Sequence, residues 1–425
     1  MQDPIVVENL VKHGKHFCVL PWVHFHSWPD GRVMPCCVAD SNMPVASIKN
    51  DQSILQMMNS EDYKKMRNAM LNDEPVEACK RCYDLEIMGT WTMRQSHNKR
   101  RGLEYVDMIS ETTNEDGSLT QFKMKYMDLR FSNMCNMKCR SCGPGCSSLW
   151  AQEFVDERGV EVYEEYFKTK KVVINTAEEM GFMNKLKPYL QDVLEVYFAG
   201  GEIIITPEHY ECLDYWIENE LTNQVELTYT TNFSSLKYKD KDLIGYWKKF
   251  PQLKIWASLD AEGKVAESIR KGTDWPRIVK NMKTLREQVP HAQFQITPTI
   301  SIWNVFDFPD FFDYMVNEGF IDIHKSSPRF NLATNPWYAN IMILPVSVKR
   351  RLIELYRVYA DRYENINHEI ANGFKMIIYN LSVGDENKGG ILEFKKFNDE
   401  LDEFRNEKLE DIVTGLKEVY AWAES

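Results

Sequence analysis

Short segments in which apolar and polar residues alternate predict the β-strands of this chain. In KYMDLRFS (125–132), apolar side chains occupy every second position and would share one face of a strand. Further apolar or β-branched runs end in turn residues and predict strands at 193–201, 224–232, 253–261 and 294–302. Segments with helical periodicity lie between them, including 176–190 and 274–288. Strands that alternate with helices indicate parallel βα units, in a barrel or a doubly wound sheet.

Beyond Pro345 the pattern becomes helical. Two helix faces are predicted there, formed by Val348, Leu352, Leu355, Tyr356 and Tyr359 and by Phe394, Phe397, Leu401 and Phe404. Ser347 is the expected N-cap of the first of these helices. We expect these helices to pack over the core rather than to form a separate catalytic domain.

Composition narrows the class of protein. The chain has 425 residues with 44% hydrophobic content, enough for two or three units with a substantial interior. A net charge of −12 argues against electrostatic capture of nucleic acid or of an anionic membrane. The basic segment RQSHNKRRG (94–102) is a local exception, and we interpret it as a solvated linker or helix face.

The ten cysteines require a chemical explanation. No apolar run is long enough to cross a bilayer and the first residues lack a secretory signal pattern, so a cytoplasmic location is expected. A reducing compartment disfavours structural disulfides, and clustered cysteines there are metal or redox ligands. The cysteines fall mainly into two groups, one before position 83 and one at 135–146.

The second group has the spacing CxxxCxxCxxxC and directly follows a predicted strand. Its members are Cys135, Cys139, Cys142 and Cys146. Thiolates are soft ligands that suit zinc or an iron–sulfur cluster. Tetrahedral zinc would use all four thiolates, whereas a cluster held by three would leave one iron open to another ligand. The spacing alone does not decide between these two sites.

The strand followed by CxxxCxxC, and the sequence AGGE (199–202) after the next strand, resemble the radical S-adenosylmethionine superfamily. The resemblance implies that Cys135, Cys139 and Cys142 hold a [4Fe–4S] cluster whose fourth iron binds the methionyl group. It also implies that residues after the strands contact S-adenosylmethionine, namely Gly200, Gly201, Glu202, Asn232, Ser258, Asp260, Arg270 and Asn304. Cys146 would then be a bystander, because a fourth thiolate would close the open iron. Ser141 replaces the aromatic residue common in the family before the third cysteine, so the adenine contacts are not assigned.

The first cysteine group has its own spacing. Trp28-Pro29-Asp30-Gly31 predicts a hairpin turn that brings Cys18 and Cys36 together. Cys79 and Cys82 are spaced to bind the same metal, and by spacing alone zinc and an iron–sulfur cluster are equally good explanations.

The pattern Cys18-x12-Gly31-x4-Cys36 with Cys79-x2-Cys82 resembles half of the auxiliary-cluster motif of SPASM and twitch domains. This implies a second [4Fe–4S] cluster, in a domain that precedes the core instead of following it. Cys37 is not an expected ligand, because adjacent residues rarely reach one metal. The nearby His13, His16, His24 and His26 are interpreted as surface or core residues, with histidine ligation of the auxiliary cluster as the alternative.

The resemblance therefore implies an α/β fold with three parts. An auxiliary-cluster domain (β-hairpin plus helix) with its linker would occupy 1–115, a partial (β/α)6 barrel 116–345, and a helical extension 346–425. Trp303, Trp337 and Tyr338 would line the mouth of the barrel or belong to the core.

The expected activity is reductive cleavage of S-adenosylmethionine to a 5′-deoxyadenosyl radical that abstracts a substrate hydrogen atom. The auxiliary cluster would aid electron transfer, and a flavodoxin or ferredoxin would supply the electron. A peptide or protein is the favoured substrate, and oxidation of a small molecule such as an aminosugar is the alternative. A non-catalytic iron–sulfur or zinc protein is the second alternative. No catalytic residue, substrate or oligomeric state is assigned.

Overall fold

The computed structural model describes residues 2–326 and 328–425, which form a mixed α/β structure. The strands within these ranges are β1 (His24–Ser27), β2 (Arg32–Met34), β3 (Ala46–Ser47), β4 (Tyr126–Leu129), β5 (Lys138–Cys139), β6 (Glu195–Phe198), β7 (Glu226–Thr231), β8 (Lys237–Tyr238), β9 (Lys241–Asp242), β10 (Leu253–Ala257), β11 (Arg270–Lys271), β12 (Gln293–Ile296), β13 (Thr299–Ile300) and β14 (Asn331–Leu332).

The helices connect and cover these strands. They are α1 (Pro4–His13), α2 (Leu20–Val23), α3 (Ile54–Met58), α4 (Glu61–Leu71), α5 (Lys80–Ile87), α6 (Met93–Arg101), α7 (Val106–Thr112), α8 (Ser148–Arg158), α9 (Val160–Phe167), α10 (Thr176–Glu179), α11 (Phe182–Leu186), α12 (Pro207–Glu218), α13 (Leu243–Trp247), α14 (Gly263–Ile269), α15 (Trp275–Gln288), α16 (Phe308–Asn317), α17 (Val346–Tyr363), α18 (His368–Ser382), α19 (Lys388–Arg405) and α20 (Leu416–Glu424). Among the described residues, no helix is both long enough and apolar enough to cross a membrane.

The chain divides into two compact units. The first unit runs to Met134 and adds Val173–Thr228 and Lys249–Gln252. The second unit comprises Cys135–Val172, Tyr229–Lys248 and Leu253–Ser425. The division into parts at 115 and 345 stays a prediction.

A sheet with strand order β3-β2-β1-β4-β6 organises the first unit. β1 and β2 form the predicted antiparallel hairpin around Trp28–Gly31, with His26 opposite Met34. β4 and β6 are parallel, as the alternating pattern predicted. The hairpin also joins β4 directly, because β1 pairs with β4 in parallel with His26 opposite Asp128. The sequence analysis did not predict that pairing.

Parallel strands also form the core of the second unit. β10 pairs with β12 in parallel, and α15 matches the predicted helical segment, with the Asp274 side chain accepting from the backbone N–H of Arg277. The predicted strand at 294–302 is interrupted between β12 and β13, where Pro298 lacks a backbone N–H for a sheet hydrogen bond. A two-residue antiparallel pair, β5 with β11, lies at the second cysteine group.

The C-terminal helices largely follow the predicted pattern. Val348, Leu352, Tyr356 and Tyr359 are buried on α17, whereas Leu355 is 39% exposed. The predicted N-cap at Ser347 is wrong, because α17 begins at Val346 directly after Pro345. Proline fixes φ near the helical value and favours the start of a helix two residues earlier than serine capping would.

Phe374 of α18 is the centre of an aromatic cluster in the second unit and is fully buried. Its ring centroid lies 5.1 Å from that of Phe330, 5.2 Å from Phe312 and 5.3 Å from Tyr359. Aromatic pairs at such distances stabilise a core beyond the area they bury.

We predict that Phe374→Ala lowers the free energy of unfolding by about 3–5 kcal/mol, because the cavity it leaves cannot be filled by the surrounding rings. Tyr379→Ala on the same helix is the matched control, since its side chain is 65% exposed, and we expect a change below about 0.5 kcal/mol. Urea unfolding followed by circular dichroism measures both. Equal losses in the two variants would contradict the assignment of this core.

Candidate metal centres

The second cysteine group forms a tight loop in the second unit. Cys139 lies on β5 opposite Arg270 on β11, and the Cys142 backbone N–H donates to the Cys139 carbonyl at 3.1 Å. The Arg270 guanidinium is 4.0 Å from the Cys139 sulfur atom. A cation next to these sulfurs favours the negatively charged thiolates that a metal requires.

The thiols of this group influence one another. Burial, followed by the neighbouring Cys139, Cys146 and Cys135, raises the pKa of Cys142 well above its usual value. Crowded thiols resist ionisation, and they lose their protons and become thiolates when a metal or cluster binds. Cys146 is the exposed member of the group, and its role as a bystander stays a prediction.

Three of the predicted cofactor contacts meet beside this loop. Arg270 Nε donates to Asp260 Oδ2 at 2.7 Å, and Asp260 Oδ1 accepts from the Thr299 backbone N–H at 2.8 Å. Asn304 Nδ2 donates to the Asp260 carbonyl at 3.0 Å. The structure thus brings Asp260, Arg270 and Asn304 together, and Asp260 orients the guanidinium.

Asn232 and Ser258 lie at the ends of neighbouring strands of the same unit. Asn232 Nδ2 donates to Asn136 Oδ1 at 2.8 Å, so Asn232 holds a residue of the cysteine loop itself. The Ser258 backbone N–H donates to the Thr231 carbonyl at 2.8 Å. Direct contact of either residue with a cofactor stays a prediction.

Gly272 allows the segment after β11 to approach the cysteine loop closely. Its φ is +105°, and a Cβ atom there would lie 2.8 Å from the Asn136 carbonyl oxygen. A larger residue would therefore have to displace the backbone between Cys135 and Cys139.

The C-terminal helix α19 fixes the cysteine loop through Arg140, whose side chain is fully buried. Its guanidinium donates to the Asp402 carboxylate, to Glu407 at 3.1 Å and to Asn398 Oδ1 at 3.1 Å. Its Nε donates to the Ser268 carbonyl at 3.2 Å. A buried cation with this many partners holds its own backbone, next to Cys139, in one position.

A second buried arginine, Arg405 at the end of α19, contacts the residue that precedes Cys139. Arg405 donates to both oxygens of Glu153, at 3.0 and 2.6 Å, and to the Lys138 carbonyl at 2.7 Å. The Lys138 ammonium group also pairs with Glu153 at 2.8 Å. Residues 138 and 140 are therefore both held by α19, a role for the C-terminal extension that the sequence analysis missed. The sequence contains no distinct signal for this role, because Asp402 and Arg405 are two of many charged residues on this helix.

The glycines of AGGE lie in the first unit, after β6. A Cβ atom on Gly201 would be 2.2 Å from the carbonyl oxygen of Met134, so glycine is required there. The Glu202 backbone N–H donates to the same carbonyl at 2.7 Å, and its carboxylate accepts from the Ile204 backbone N–H at 3.3 Å. The GGE segment is thus bound to the residue that directly precedes Cys135 in the chain.

The first cysteine group also lies in the first unit, where its four expected ligands line one cavity. Cys18, Cys36, Cys79 and Cys82 face this cavity together with Leu20, Val38, Ala39, Met93 and Arg94. Burial, followed by the neighbouring thiols, raises the pKa of Cys36 well above its usual value. The Cys37 sulfur contacts Met93 Sδ at 3.8 Å, and the absence of Cys37 from the ligand set stays a prediction.

Helix α6 supports Cys18 from both sides. Arg94 donates to the Phe17 carbonyl at 2.8 Å, and Asn98 donates to the same oxygen at 2.9 Å. Asn98 also accepts from the Val19 backbone N–H at 3.0 Å. The basic segment 94–102 is thus a helix, as one of our two interpretations held, but Arg94 and Asn98 are buried within it.

The segment that contains the first cysteine group matches a known family. Residues 18–83 match the SPASM family, an iron–sulfur cluster-binding domain. The matched segment begins at Cys18 and ends one residue after Cys82, so it contains all four cavity cysteines. The predicted iron–sulfur character of this SPASM segment is confirmed.

The solved structures that match this chain do so at low sequence identity and low TM-score. Native anSMEcpe with bound AdoMet and Kp18Cys peptide is 14% identical, with a TM-score of 0.37 over 55% of this chain and 59% of that chain. Streptococcus suis SuiB bound to S-adenosylmethionine is 16% identical, with a TM-score of 0.35 over 72% and 65%. Streptococcus suis SuiB bound to precursor peptide SuiA is 16% identical, with a TM-score of 0.35 over 81% of this chain and 70% of that chain. This chain therefore spans less than two thirds of the length of anSMEcpe and of SuiB bound to S-adenosylmethionine. The curated proteins contain no significant match.

We predict that Arg140→Met destabilises the second unit by about 3–5 kcal/mol, because it leaves buried carboxylates without their cation. The iron that the sequence analysis predicts at Cys135, Cys139 and Cys142 should fall with it, while the iron predicted in the SPASM segment is kept. Arg158→Met is the matched control, since Arg158 pairs with Glu400 of the same helix α19 at an exposed position. We expect less than about 1 kcal/mol there. Urea unfolding and Mössbauer spectroscopy measure both effects, and full iron retention in Arg140→Met would contradict the role of α19.

Proposed function

We propose that this protein is a radical S-adenosylmethionine enzyme with one auxiliary [4Fe–4S] cluster, and that it modifies a peptide or protein. The observation that carries the proposal is the bonding of the GGE segment to the residue before Cys135. Gly201 packs against the Met134 carbonyl, and the Glu202 N–H donates to that same oxygen at 2.7 Å. The partial (β/α)6 barrel belongs to the same proposal.

The donor sets support the assignment of the two clusters. Cys135, Cys139 and Cys142 would hold the cluster that binds S-adenosylmethionine, and the four SPASM cysteines would hold the auxiliary cluster. When bound, these groups supply one-electron reduction of S-adenosylmethionine and hydrogen-atom abstraction from the substrate.

The remaining steps fall to the protein's own side chains. Glu202 is 2% exposed, and its carboxylate is suited to accept hydrogen bonds from the ammonium group of the methionyl moiety. Arg270, oriented by Asp260, would bind the methionyl carboxylate through its guanidinium. Asn232 would keep the cysteine loop in place through Asn136.

The substrate class is the finer part of the proposal. Peptides are the first class to test, and a small molecule such as an aminosugar is the alternative outcome. Trp303 is buried against the C-terminal helices and donates to Asn398 at 2.9 Å, so it belongs to the core. Trp337 is 48% exposed and remains a candidate for substrate contact. A flavodoxin or ferredoxin is the proposed electron donor.

Iron analysis tests the two-cluster assignment. We expect about eight irons and eight sulfides per chain after anaerobic reconstitution. The Cys135/Cys139/Cys142→Ala variant and the Cys18/Cys36→Ala variant should each keep about four irons. Cys146→Ala and the buried Cys212→Ala are controls that should keep all of them. About four irons together with one zinc in the wild type would contradict the auxiliary cluster.

Cleavage of S-adenosylmethionine tests the enzymatic assignment. Dithionite-reduced protein should form 5′-deoxyadenosine, and the Cys135/Cys139/Cys142→Ala variant should form none. Glu202→Gln should weaken binding of S-adenosylmethionine about tenfold, equivalent to about 1.4 kcal/mol, because the charge that attracts the ammonium group is lost. Its iron content should be unchanged. Absence of 5′-deoxyadenosine from fully loaded wild-type protein would refute the proposal.

A further inference from the structure

A group of buried polar side chains in the first unit has no part in the proposed reaction. β1 and β4 are parallel, with His24 opposite Tyr126 and His26 opposite Asp128, so these side chains lie on one face of the sheet. His24, His26 and Asp128 are each 0% exposed. Buried polar groups are normally hydrogen-bonded, so the partners of these three need to be accounted for.

The hydrogen bonds of the two imidazole rings define their tautomers. His24 Nδ1 lies 3.1 Å from the Tyr126 carbonyl oxygen, and His26 Nδ1 lies 2.8 Å from the Asp128 carbonyl oxygen. A carbonyl only accepts, so each Nδ1 carries a proton, and in a neutral ring the Nε2 atom then carries a lone pair. Neither Nε2 atom has a hydrogen-bond partner among the described residues. Histidines that bind metals have this arrangement, with one ring N–H on a carbonyl and the other nitrogen on the metal.

The Asp128 carboxylate is likewise unsatisfied. Neither of its oxygens makes a hydrogen bond within the described part of the chain. His26 Nδ1 is 3.2 Å from Oδ2 and Arg130 Nε is 3.7 Å from Oδ1, and neither contact has the alignment of a hydrogen bond. Burying a carboxylate that accepts no hydrogen bonds is unfavourable for folding, and a bound cation would offset that cost.

We propose that His24, His26 and Asp128 bind a single divalent transition-metal ion of the zinc class. One ligand atom from each side chain lies within 4.8 Å of the others. Two imidazole nitrogens and one carboxylate oxygen are ligands that zinc prefers. The Cys37 thiol also interacts with Asp128 and is a candidate for a fourth ligand.

Binding requires a small adjustment of the side chains. The two rings are nearly parallel, at 12°, and their centroids are 6.1 Å apart. Bonds of about 2.0 Å in a tetrahedral site place neighbouring ligand atoms about 3.3 Å apart. The proposal therefore requires the imidazole rings to rotate about their side-chain bonds so that the ligand atoms come closer.

Zinc content and X-ray absorption test the site in the cluster-loaded protein. Anaerobically reconstituted enzyme is incubated with zinc chloride, freed of excess, and measured by mass spectrometry and at the zinc K-edge. We expect about one zinc per chain with nitrogen and oxygen neighbours at about 2.0 Å and imidazole scattering. His26→Gln and Asp128→Asn should lose this zinc and keep their iron.

His209→Gln is the matched control. His209 is also 0% exposed and lies in the same unit, away from β1, so this variant should keep the zinc. No zinc in the wild type, a shell of sulfur alone at about 2.3 Å, or undiminished zinc in a folded His26→Gln variant would overturn the proposal. If the variants do not fold, the zinc spectrum of the wild type still decides. None of these readouts depends on cleavage of S-adenosylmethionine.

Discussion

The buried guanidinium of Arg140 is the constraint on which the second unit depends. Arg140 immediately follows Cys139 in the chain, and its charge is neutralised by Asp402 of α19 and by Glu407, two residues beyond the end of that helix. An unpaired charge at this depth would be costly, so the loop and the helix end must remain together. Glu407 also pairs with Lys271 on β11, which links this charge network to the strand opposite Cys139.

At the SPASM segment, a buried and paired arginine also holds the backbone next to a cysteine. Arg94 is buried, pairs with Glu86 and donates to the Gly14 and Phe17 carbonyls. Its charge lies at the cavity that Cys18 lines. In each unit a buried arginine therefore fixes the backbone next to a predicted ligand cysteine, and a guanidinium lies near the sulfurs, Arg94 in the first unit and Arg270 in the second. Positive charge near thiolates favours the anionic cluster that they hold.

Much of the fold could be predicted from periodicity, and long-range charge pairing could not. The strands β4, β6, β7 and β10 and the helix α15 were predicted because each has a local pattern of its own. The parallel pairing of β1 with β4 was not predicted, since hairpin signals specify the turn and not the next neighbour. The contacts of Arg140 with Asp402 and of Arg405 with Lys138 join residues more than 250 positions apart, and no local pattern encodes them.

The two histidines of β1 also show that a site formed by long-range strand pairing could not be predicted from local sequence patterns. From the sequence, His24 and His26 were interpreted as surface or core residues, and the structure buries both. Their significance depends on Asp128, which reaches them only because β1 pairs with β4 in this register. A shift of one residue would turn either strand's side chains to the opposite face and separate the carboxylate from both rings. The same pairing that joins the hairpin to β4 therefore creates a nitrogen and oxygen site that suits a harder metal than the sulfur sites do.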